Sequence, residues 1–365
     1  MNILILTNHQ VGLIKFRHEL LETLVLDGNK IYVSVPESGY STELEKMGVY
    51  TVPNFRLDRR GTNPLKDLRL LHYYRRLLKK VEPDVVLTYT IKPNVYGGYA
   101  CKKRHIPYIV NVTGLGTSIE NSGFMQSVIL KMYKKGLEGA QKVFFQNTEN
   151  LNFMVEHGIV QADKTYVLPG SGVNTDEHSY EPYPESDEPI IFTTIGRIMK
   201  DKGILEILDA AKIIKQNNSN VLFRLIGDFD EENLKIKVEK AIDGKNVEYI
   251  PFQKDIKPYI RSSHAILHAS YHEGMSNVLL EAASSGRPVI ATIVPGCIET
   301  FEPDVTGFAF EPRNVESLVE AIERFLAISH EQKVKMGKAG REKMIKEFER
   351  KIVVKKYKDE ISKIK

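Results

Sequence analysis

Two stretches of this 365-residue sequence gather side chains whose types and spacing could do chemistry. The first is Glu273-Gly-Met-Ser-Asn-Val-Leu-Leu-Glu281, followed by Ala-Ala-Ser-Ser-Gly286-Arg-Pro-Val-Ile-Ala. A strand over 264–268 feeds a loop here, and a helix begins near Ser276. Glu273 therefore stands on a loop at a helix N-terminus, and Glu281 lies on the helix body, about one and a half turns in. The first N–H groups of a helix have no partner within it. Those of Ser276 and Asn277 are expected to be unpaired and aimed outward, which makes an anion site. A carboxylate beside it could accept hydrogen bonds from sugar hydroxyls, and a second could hold a ribose diol. Taken alone, a capped helix with one exposed Glu explains the same letters equally well.

The second stretch, Gly196-Arg197-Ile-Met-Lys200-Asp201-Lys202-Gly203, lies between a strand at 190–195 and the next helix. Glycine lets a ligand approach the backbone closely. Arg offers a planar fork to phosphate oxygens and Lys a point charge. Arg197 and Lys202 across one strand-to-helix turn could grip a diphosphate from one side. A cluster of surface charge at a turn is the plainer reading, but placement at the carboxyl end of a strand favours a site.

The elements that must position these residues alternate along the whole chain. Strands are expected at 2–7, 30–35, 84–89, 107–113, 142–146 and 165–168, with helices near 13–27, 64–81, 93–104, 122–139 and 148–158. Runs such as NILILT, DVVLT and YIVNV are almost continuously apolar, as in a parallel sheet covered on both faces. Residues 178–189 (HSYEPYPESDEP) are polar, acidic and hold three prolines, so a linker is expected there. A second series follows, with strands near 190–195, 221–226, 247–250, 264–268, 288–292 and 307–310. Its helices are expected at 202–217, 230–242, 255–262, 276–286 and 314–327, and a charged helical tail runs from about 330. The expectation is an α/β chain of two doubly wound domains, 1–180 and 181–340, with a terminal helix over 341–365. Two such halves place a ligand where the carboxyl ends of their sheets face each other.

Composition narrows the classes. A 42% hydrophobic and 27% charged content is that of a globular protein, and the formal charge is +4. Residues 1–180 hold 22 Lys+Arg against 17 Asp+Glu, and six basic residues with one acidic one fall within 66–80. The excess is about the size of one helix, unlike the diffuse charge of a nucleic-acid binder. In 64–81, leucines at 65, 68, 71, 77 and 78 alternate with Arg69, Arg75, Arg76, Lys79 and Lys80. Such a basic amphipathic helix could lie on an anionic membrane surface, joined by Arg56, Arg59 and Arg60, or be an ordinary helix of the α/β layer. The apolar start is cut short by Thr7-Asn8-His9-Gln10, so it reads as a buried strand and not a signal peptide. No run approaches the roughly 18 apolar residues of a spanning helix. Cys101 and Cys297 are expected to be buried filler, and a cytoplasmic protein is expected. His9, His18 and His272 are each expected to be satisfied or solvated, His272 being the best placed for chemistry because it adjoins Glu273.

The pairing of GRIMKDKG with E-x7-E, in the string EGMSNVLLEA-x3-G-x-PVIA, resembles the family-4 retaining glycosyltransferases of the GT-B fold. The likeness covers nearly the whole chain and is nearest to the bacterial capsule and exopolysaccharide branch. It implies two Rossmann-like domains facing a cleft, with the helix over 341–365 packing back on the first. It also implies a nucleotide diphosphate sugar as donor, UDP-linked by preference, with no further cofactor. By resemblance Glu273 contacts hydroxyls of the donor sugar and Glu281 the ribose. Arg197 and Lys202 meet the diphosphate beside Gly196, and the loop amides of Ser276 and Asn277 meet the β-phosphate. Gly12 matches a glycine-containing first loop facing the diphosphate, and base recognition falls around Tyr249 to Phe252. Many members carry a His where this sequence has Thr113, in Asn111-Val-Thr113-Gly114-Leu-Gly116. Thr113 and Gly114 are therefore carried over only as residues near donor or acceptor. Lys92 and Asn94 could touch the acceptor or merely cap a turn.

The branch elongates polyprenyl-diphosphate-linked sugars, which implies a lipid-linked saccharide acceptor and a peripheral place on the inner face of the membrane. A front-face retaining transfer is implied, with Glu273 as nucleophile the lesser route. Two cations and a helix end would replace a metal, and no Asp-x-Asp run or His/Cys cluster suits one. Three other readings are weighed: a non-hydrolysing nucleotide-sugar epimerase, a sugar-binding scaffold without activity, and a dehydrogenase-like module. The last lacks the three-glycine dinucleotide loop, and no Gly-Lys-Ser/Thr phosphate loop follows the first strand.

Overall fold

The computed structural model describes the chain except for residues 9, 37–40, 55–63, 116–122, 186–188, 219, 244 and 365. It forms two compact units, Met1–Ser171 with Arg350–Lys365, and Gly172–Glu349.

In the first unit the described strands are β1 (Asn2–Leu6), β2 (Lys30–Pro36), β3 (Tyr50–Asn54), β4 (Val85–Tyr89), β5 (Tyr108–Val112), β6 (Lys142–Phe145) and β7 (Thr165–Val167). They pair in parallel in the order β3-β2-β1-β4-β5-β6-β7. Side chains alternate across a strand, so both faces of this sheet need cover. Leu4, Leu6, Val86 and Val110 meet Leu70, Tyr74 and Leu77 of the helix Pro64–Val81 on one face. On the other face Ile3, Ile5, Val85 and Leu87 meet Leu13, Leu20 and Leu24 of the helix Gln10–Leu26. The helix Arg350–Ser362 adds Val353, Tyr357 and Ile361, four residues apart, to that second layer. Arg350 fixes its start, with Nη1 2.9 Å from Glu19 Oε2 and 3.1 Å from the Lys15 carbonyl.

The short helix Ser41–Lys46 and strand β3 were not expected from the sequence. Strand β3 reads YTVPN, half exposed, with Pro53 breaking the pattern. It survives because it lies at the sheet edge, where a missing N–H costs little. The helix expected over 93–104 is instead a π-helical turn, Pro93–Gly97, running into the helix Gly98–Lys103.

The second unit repeats the pattern with β8 (Ile190–Ile195), β9 (Val221–Ile226), β10 (Val247–Ile250), β11 (Ala265–His268), β12 (Val289–Thr292) and β13 (Gly307–Phe310). The order is β10-β9-β8-β11-β12-β13, again parallel. Strand order therefore reverses between β8 and β11, where open α/β sheets leave a crevice at the carboxyl ends. Helices Ile204–Asn217 and Val315–Ala327 bury Ile207, Ile214, Leu318 and Phe325 against Phe192, Phe223 and Phe308.

Residues 178–185, within the expected linker, are packed onto the second unit. Arg287 is wholly buried, and its guanidinium donates to the carbonyls of Glu181 (2.9 Å), Pro182 (2.6 Å), Arg261 (2.8 Å) and Ile260 (3.1 Å). The Tyr183 hydroxyl donates to the His264 carbonyl at 2.8 Å. A proline-rich stretch cannot satisfy its carbonyls in a ladder, and one buried guanidinium with five N–H groups does it instead. The two units meet in sequence between Ser171 and Gly172, ahead of the acidic stretch. Among the described residues, no helix is long and apolar enough to cross a membrane.

Candidate functional site

Three loops leave the carboxyl ends of the adjacent strands β8, β11 and β12 in the second unit, and each supplies part of one polar cluster. The loop after β8 ends in the turn Lys200–Lys202, closed by Gly203 at φ 64°. A Cβ at Gly203 would lie 2.2 Å from the Ala269 carbonyl oxygen, so only glycine lets this turn press against the end of β11. The Tyr271 N–H donates to the Asp201 carbonyl at 2.9 Å and ties the two loops together. The β12 loop closes on the same place. Gly296 sits at φ 79°, where a Cβ would come within 2.7 Å of the Glu273 and Gly274 carbonyls. Its carbonyl accepts the Ser276 N–H at 2.8 Å, and its own N–H donates to Glu299 Oε2 at 2.7 Å.

Glu273 is the centre of the cluster. Its carboxylate forms a largely buried ion pair with Lys202 Nζ, the two side chains being 16% and 21% exposed. His268, the last residue of β11, places Nε2 2.9 Å from Glu273 Oε1 and 3.2 Å from Ser276 Oγ. Burial alone would push the Glu273 carboxyl up. The His268 hydrogen bond and the Lys202 ammonium outweigh it and hold the group well below the usual carboxylate range. Glu273 is thus an anion at neutral pH. Around it, Ser270 Oγ lies 3.5 Å from Lys202 Nζ, and Thr292 Oγ1 donates to the Ser270 carbonyl at 2.7 Å.

The helix behind this loop is Asn277–Ser284, with Ser276 at its N-cap. One expectation fails here. The Ser276 N–H is not aimed outward; it is taken by the Gly296 carbonyl, because the β12 loop folds over the helix start. The open first turn therefore begins at Asn277. The Asn277 side-chain oxygen is buried and takes no hydrogen bond among the described contacts, leaving an acceptor beside that turn. Glu281 lies on the same helix, half-buried.

Arg197 is placed differently. Gly196 follows β8, and the Arg197 guanidinium, half exposed, pairs with Asp230 Oδ2 at 2.9 Å on the loop after β9. Arg197 and Lys202 of GRIMKDKG thus hold partners on opposite sides of β8: Lys202 on the β11 side, Arg197 on the β9 side. Phe252 follows β10 with its ring largely exposed, three residues after Tyr249, whose ring lies tilted against Phe229 with centroids 4.8 Å apart.

The remaining candidates lie in the first unit. Gly12 is inside the first turns of the helix Gln10–Leu26, which starts earlier than expected, and not on a loop. Thr113 and Gly114 follow the end of β5, half-buried, with Gly114 at φ 147°. Lys92 pairs with Asp67 at 2.8 Å, both side chains at or below 15% exposure, and Asn94 is buried and donates to the Asn111 carbonyl at 2.9 Å. Both serve the fold at this turn. His18 is exposed on its helix, His272 is half-buried, and His9, Arg56, Arg59, Arg60 and Gly116 lie outside the described residues. Cys101 and Cys297 are free and buried.

The helix Pro64–Val81 has the predicted bounds, but its apolar stripe is used internally. Leu77 and Leu78 join Leu70 and Tyr74 in the core, while Leu65 and Leu68 point outward at 71% and 64% exposure. Lys66, Arg69, Arg75, Arg76, Lys79 and Lys80 are exposed on its outer side. It is a layer helix whose solvent face is basic.

Sequence reasoning passed over His268, Gly296 and Glu299. His268 ends a four-residue apolar strand, and a histidine there, one turn short of a carboxylate-bearing loop, was the available signal.

Two parallel sheets with the Rossmann strand order, the second with a loop cluster at its carboxyl ends, define the two-domain GT-B architecture. Residues 3–147 match the family described as Glycosyl transferase 4-like, and residues 176–343 match Glycosyl transferases group 1. Between them these matches span most of the chain, and the chain belongs to the GT-B glycosyltransferases of the capsule and polysaccharide branch. Among its relatives is the N,N'-diacetylbacillosaminyl-diphospho-undecaprenol alpha-1,3-N-acetylgalactosaminyltransferase of Campylobacter jejuni, 26% identical over 343 residues and 89% of each chain. Another is the capsular polysaccharide biosynthesis glycosyltransferase CapM of Staphylococcus aureus, 25% identical over 300 residues, 79% of this chain and 78% of that one. The crystal structure of Anabaena HepE with UDP and glucose superposes at a TM-score of 0.82 with 18% identity, covering 100% of both chains.

Proposed function

We propose that this glycosyltransferase moves a hexose or N-acetylhexosamine, with retention, from a UDP-linked donor to a polyprenyl-diphosphate-linked saccharide. The observation that carries the donor half is the anionic Glu273, fixed by Lys202 and His268 at the reversal of strand order beside an open helix turn. A carboxylate held ionised is a strong acceptor for sugar hydroxyls. Lys202 and the amides from Asn277 onward supply positive charge for a departing diphosphate, in place before the reaction starts, and Arg197 joins them. Arg197 reaches it by leaving Asp230, an exposed pair worth no more than about 1 kcal/mol. Glu281 holds the ribose, and Phe252 with Tyr249 lies where the base rests. Gly12 is assigned to the diphosphate, and Thr113 and Gly114 to the vicinity of donor or acceptor.

In the chemical step the bond from the anomeric carbon to the β-phosphate oxygen breaks. The acceptor oxygen bonds to the same face of that carbon, and its proton passes to the departing phosphate. Charge neutralisation by the protein's own cations makes a divalent metal unnecessary, so activity persists in excess chelator.

The acceptor half draws on the relative from C. jejuni, whose name specifies a diphospho-undecaprenol substrate. A lipid-linked acceptor calls for a cytoplasmic enzyme resting on the inner face of the membrane. The basic face of Pro64–Val81, with Leu65 and Leu68 projecting, is the surface for it, each cation near anionic lipid being worth about 1 kcal/mol. Binding to phosphatidylserine-type vesicles should fall with salt and with Arg75→Glu/Arg76→Glu; binding unchanged by both refutes this surface.

The test of the whole reading is transfer from a panel of UDP-sugars to a synthetic polyprenyl-diphosphate saccharide, with the anomeric configuration of the product read by NMR. Inverted product would refute retention, and turnover of the nucleotide sugar without any acceptor would favour the epimerase.

A further inference from the structure

We propose that His268 is a positioning residue that orients the Glu273 carboxylate for the donor sugar, a role resting on the reading of this cluster as the donor site. The sequence makes His268 an anomaly. It ends β11 (AILH), all four residues of which are buried, and pairs in register with Ala291 of β12. An imidazole in such a place is costly unless its nitrogens find partners. Leu or Val would satisfy the strand, so the histidine is there for its hydrogen bonds.

Those bonds are specific. Nε2 lies 2.9 Å from Glu273 Oε1 and 3.2 Å from Ser276 Oγ. An ionised carboxylate only accepts, so Nε2 must carry the proton and donate it. Lys202 Nζ reaches the same oxygen, Oε1, from the β8 loop. Two donors, one on the loop after β8 and one at the end of β11, therefore converge on one carboxylate oxygen and fix the plane of the group. A carboxylate has about four lone-pair sites on two oxygens, so it keeps acceptor capacity for ligand hydroxyls while held this way. Lys202 alone would not orient it, since an ammonium on a flexible stem is a point charge without directional preference. The imidazole supplies direction, because its ring is locked in the sheet. Ser276 Oγ, at the N-cap of the following helix, links the same nitrogen to the start of the anion-binding turn. One ring thus sets the spacing between the group that meets the sugar and the helix end that meets the phosphate.

The experiment compares wild type, His268→Leu and His268→Gln by thermal melting, by affinity for UDP and for the UDP-sugar, and by transfer kinetics. Leu keeps the burial and removes the donor; Gln places an N–H near the Nε2 position. His268→Leu should stay folded and bind UDP as wild type does. It should lose roughly 10- to 100-fold in kcat/KM, the value of a hydrogen bond to a charged group. His268→Gln should recover most of that loss. In a Glu273→Ala background the leucine substitution should add less than about twofold, because the group it orients is gone. Equal losses of UDP and UDP-sugar affinity, a glutamine variant as impaired as the leucine one, or full additivity with Glu273→Ala would each overturn the positioning role. Should His268→Leu fail to fold, His268→Asn, too short to reach Glu273, replaces it in the same comparison. A wild-type protein that binds no nucleotide sugar would overturn the donor-site reading itself, whereas an active wild type with an equally active His268→Leu overturns only this inference.

Discussion

Replacing Lys202 by Met separates what the Lys202–Glu273 pair does for folding from what it does for transfer. Methionine keeps the length of the stem and removes the ammonium. The pair is largely buried, at 21% and 16% exposure, so its loss leaves an anion in a poorly hydrated place. Breaking such a pair from one side costs about 3–5 kcal/mol. His268 still donates to Oε1 and keeps part of the compensation, so about 2–3 kcal/mol is expected. For a unit of this size that lowers the melting temperature by about 5–10 °C. The double variant Lys202→Met/Glu273→Leu removes the uncompensated charge along with its partner. Apolar replacement of both members of a buried pair is commonly neutral or stabilising. The double variant should therefore melt closer to wild type than the single one does, while transfer activity stays abolished in both.

The same pair sets a pH dependence with a definite sign. Glu273 is held below its unfolded value, which is about 4.3. The stability it contributes is complete above that pH and is lost as the pH falls through the folded value. Calorimetry should show the gap between wild type and Lys202→Met at its full size at pH 7 and narrower at pH 3. A single variant as stable as wild type, or a double variant destabilised by more than the single, would refute the account of Glu273 as a buried anion held by Lys202.

Two further outcomes follow from neighbouring groups. Arg197→Ala should leave stability within about 1 kcal/mol, since its pair with Asp230 is exposed. It should lower kcat about 100-fold with little change in donor affinity, the mark of charge stabilised in the transition state; equal losses in both parameters would count against that role. Burial lowers the His264 pKa to about 4, and its Nδ1 accepts the Ile191 N–H at 3.1 Å, so the ring is neutral in the fold. A base depressed in this way contributes stability above its unfolded value of about 6.5 that is lost as the pH falls toward 4. Urea titrations at pH 7 and pH 4.5 should differ by a few kcal/mol in wild type and by clearly less in His264→Gln.

The fold was legible because its cores are written in continuous apolar runs. NILIL, VVLTY and YIVNV are buried almost throughout, and the strand bounds 190–195, 221–226, 247–250 and 307–310 agree with expectation. What stayed hidden was whatever depends on a partner far along the chain. Edge strand β3 has a proline and little burial of its own, and only pairing with β2 makes it a strand. The proline-rich residues 178–185 read as a linker because the guanidinium that binds them is Arg287, about a hundred residues on. The candidate site divides along the same line. Glu273, Lys202 and the helix after Ser276 could be placed from local spacing alone, as groups at the carboxyl ends of strands. That the Ser276 N–H is occupied could not, because its acceptor is Gly296 on another loop. Nor could the basic helix be resolved from its own letters. The leucine spacing is the same for a stripe facing lipid and a stripe facing a sheet, and only packing shows that Leu77 and Leu78 were taken by the core. Periodicity states that a face is buried and is silent about what buries it. Leu65 and Leu68 share the leucine spacing of that stripe and yet face outward, which the letters alone do not tell apart from Leu77 and Leu78.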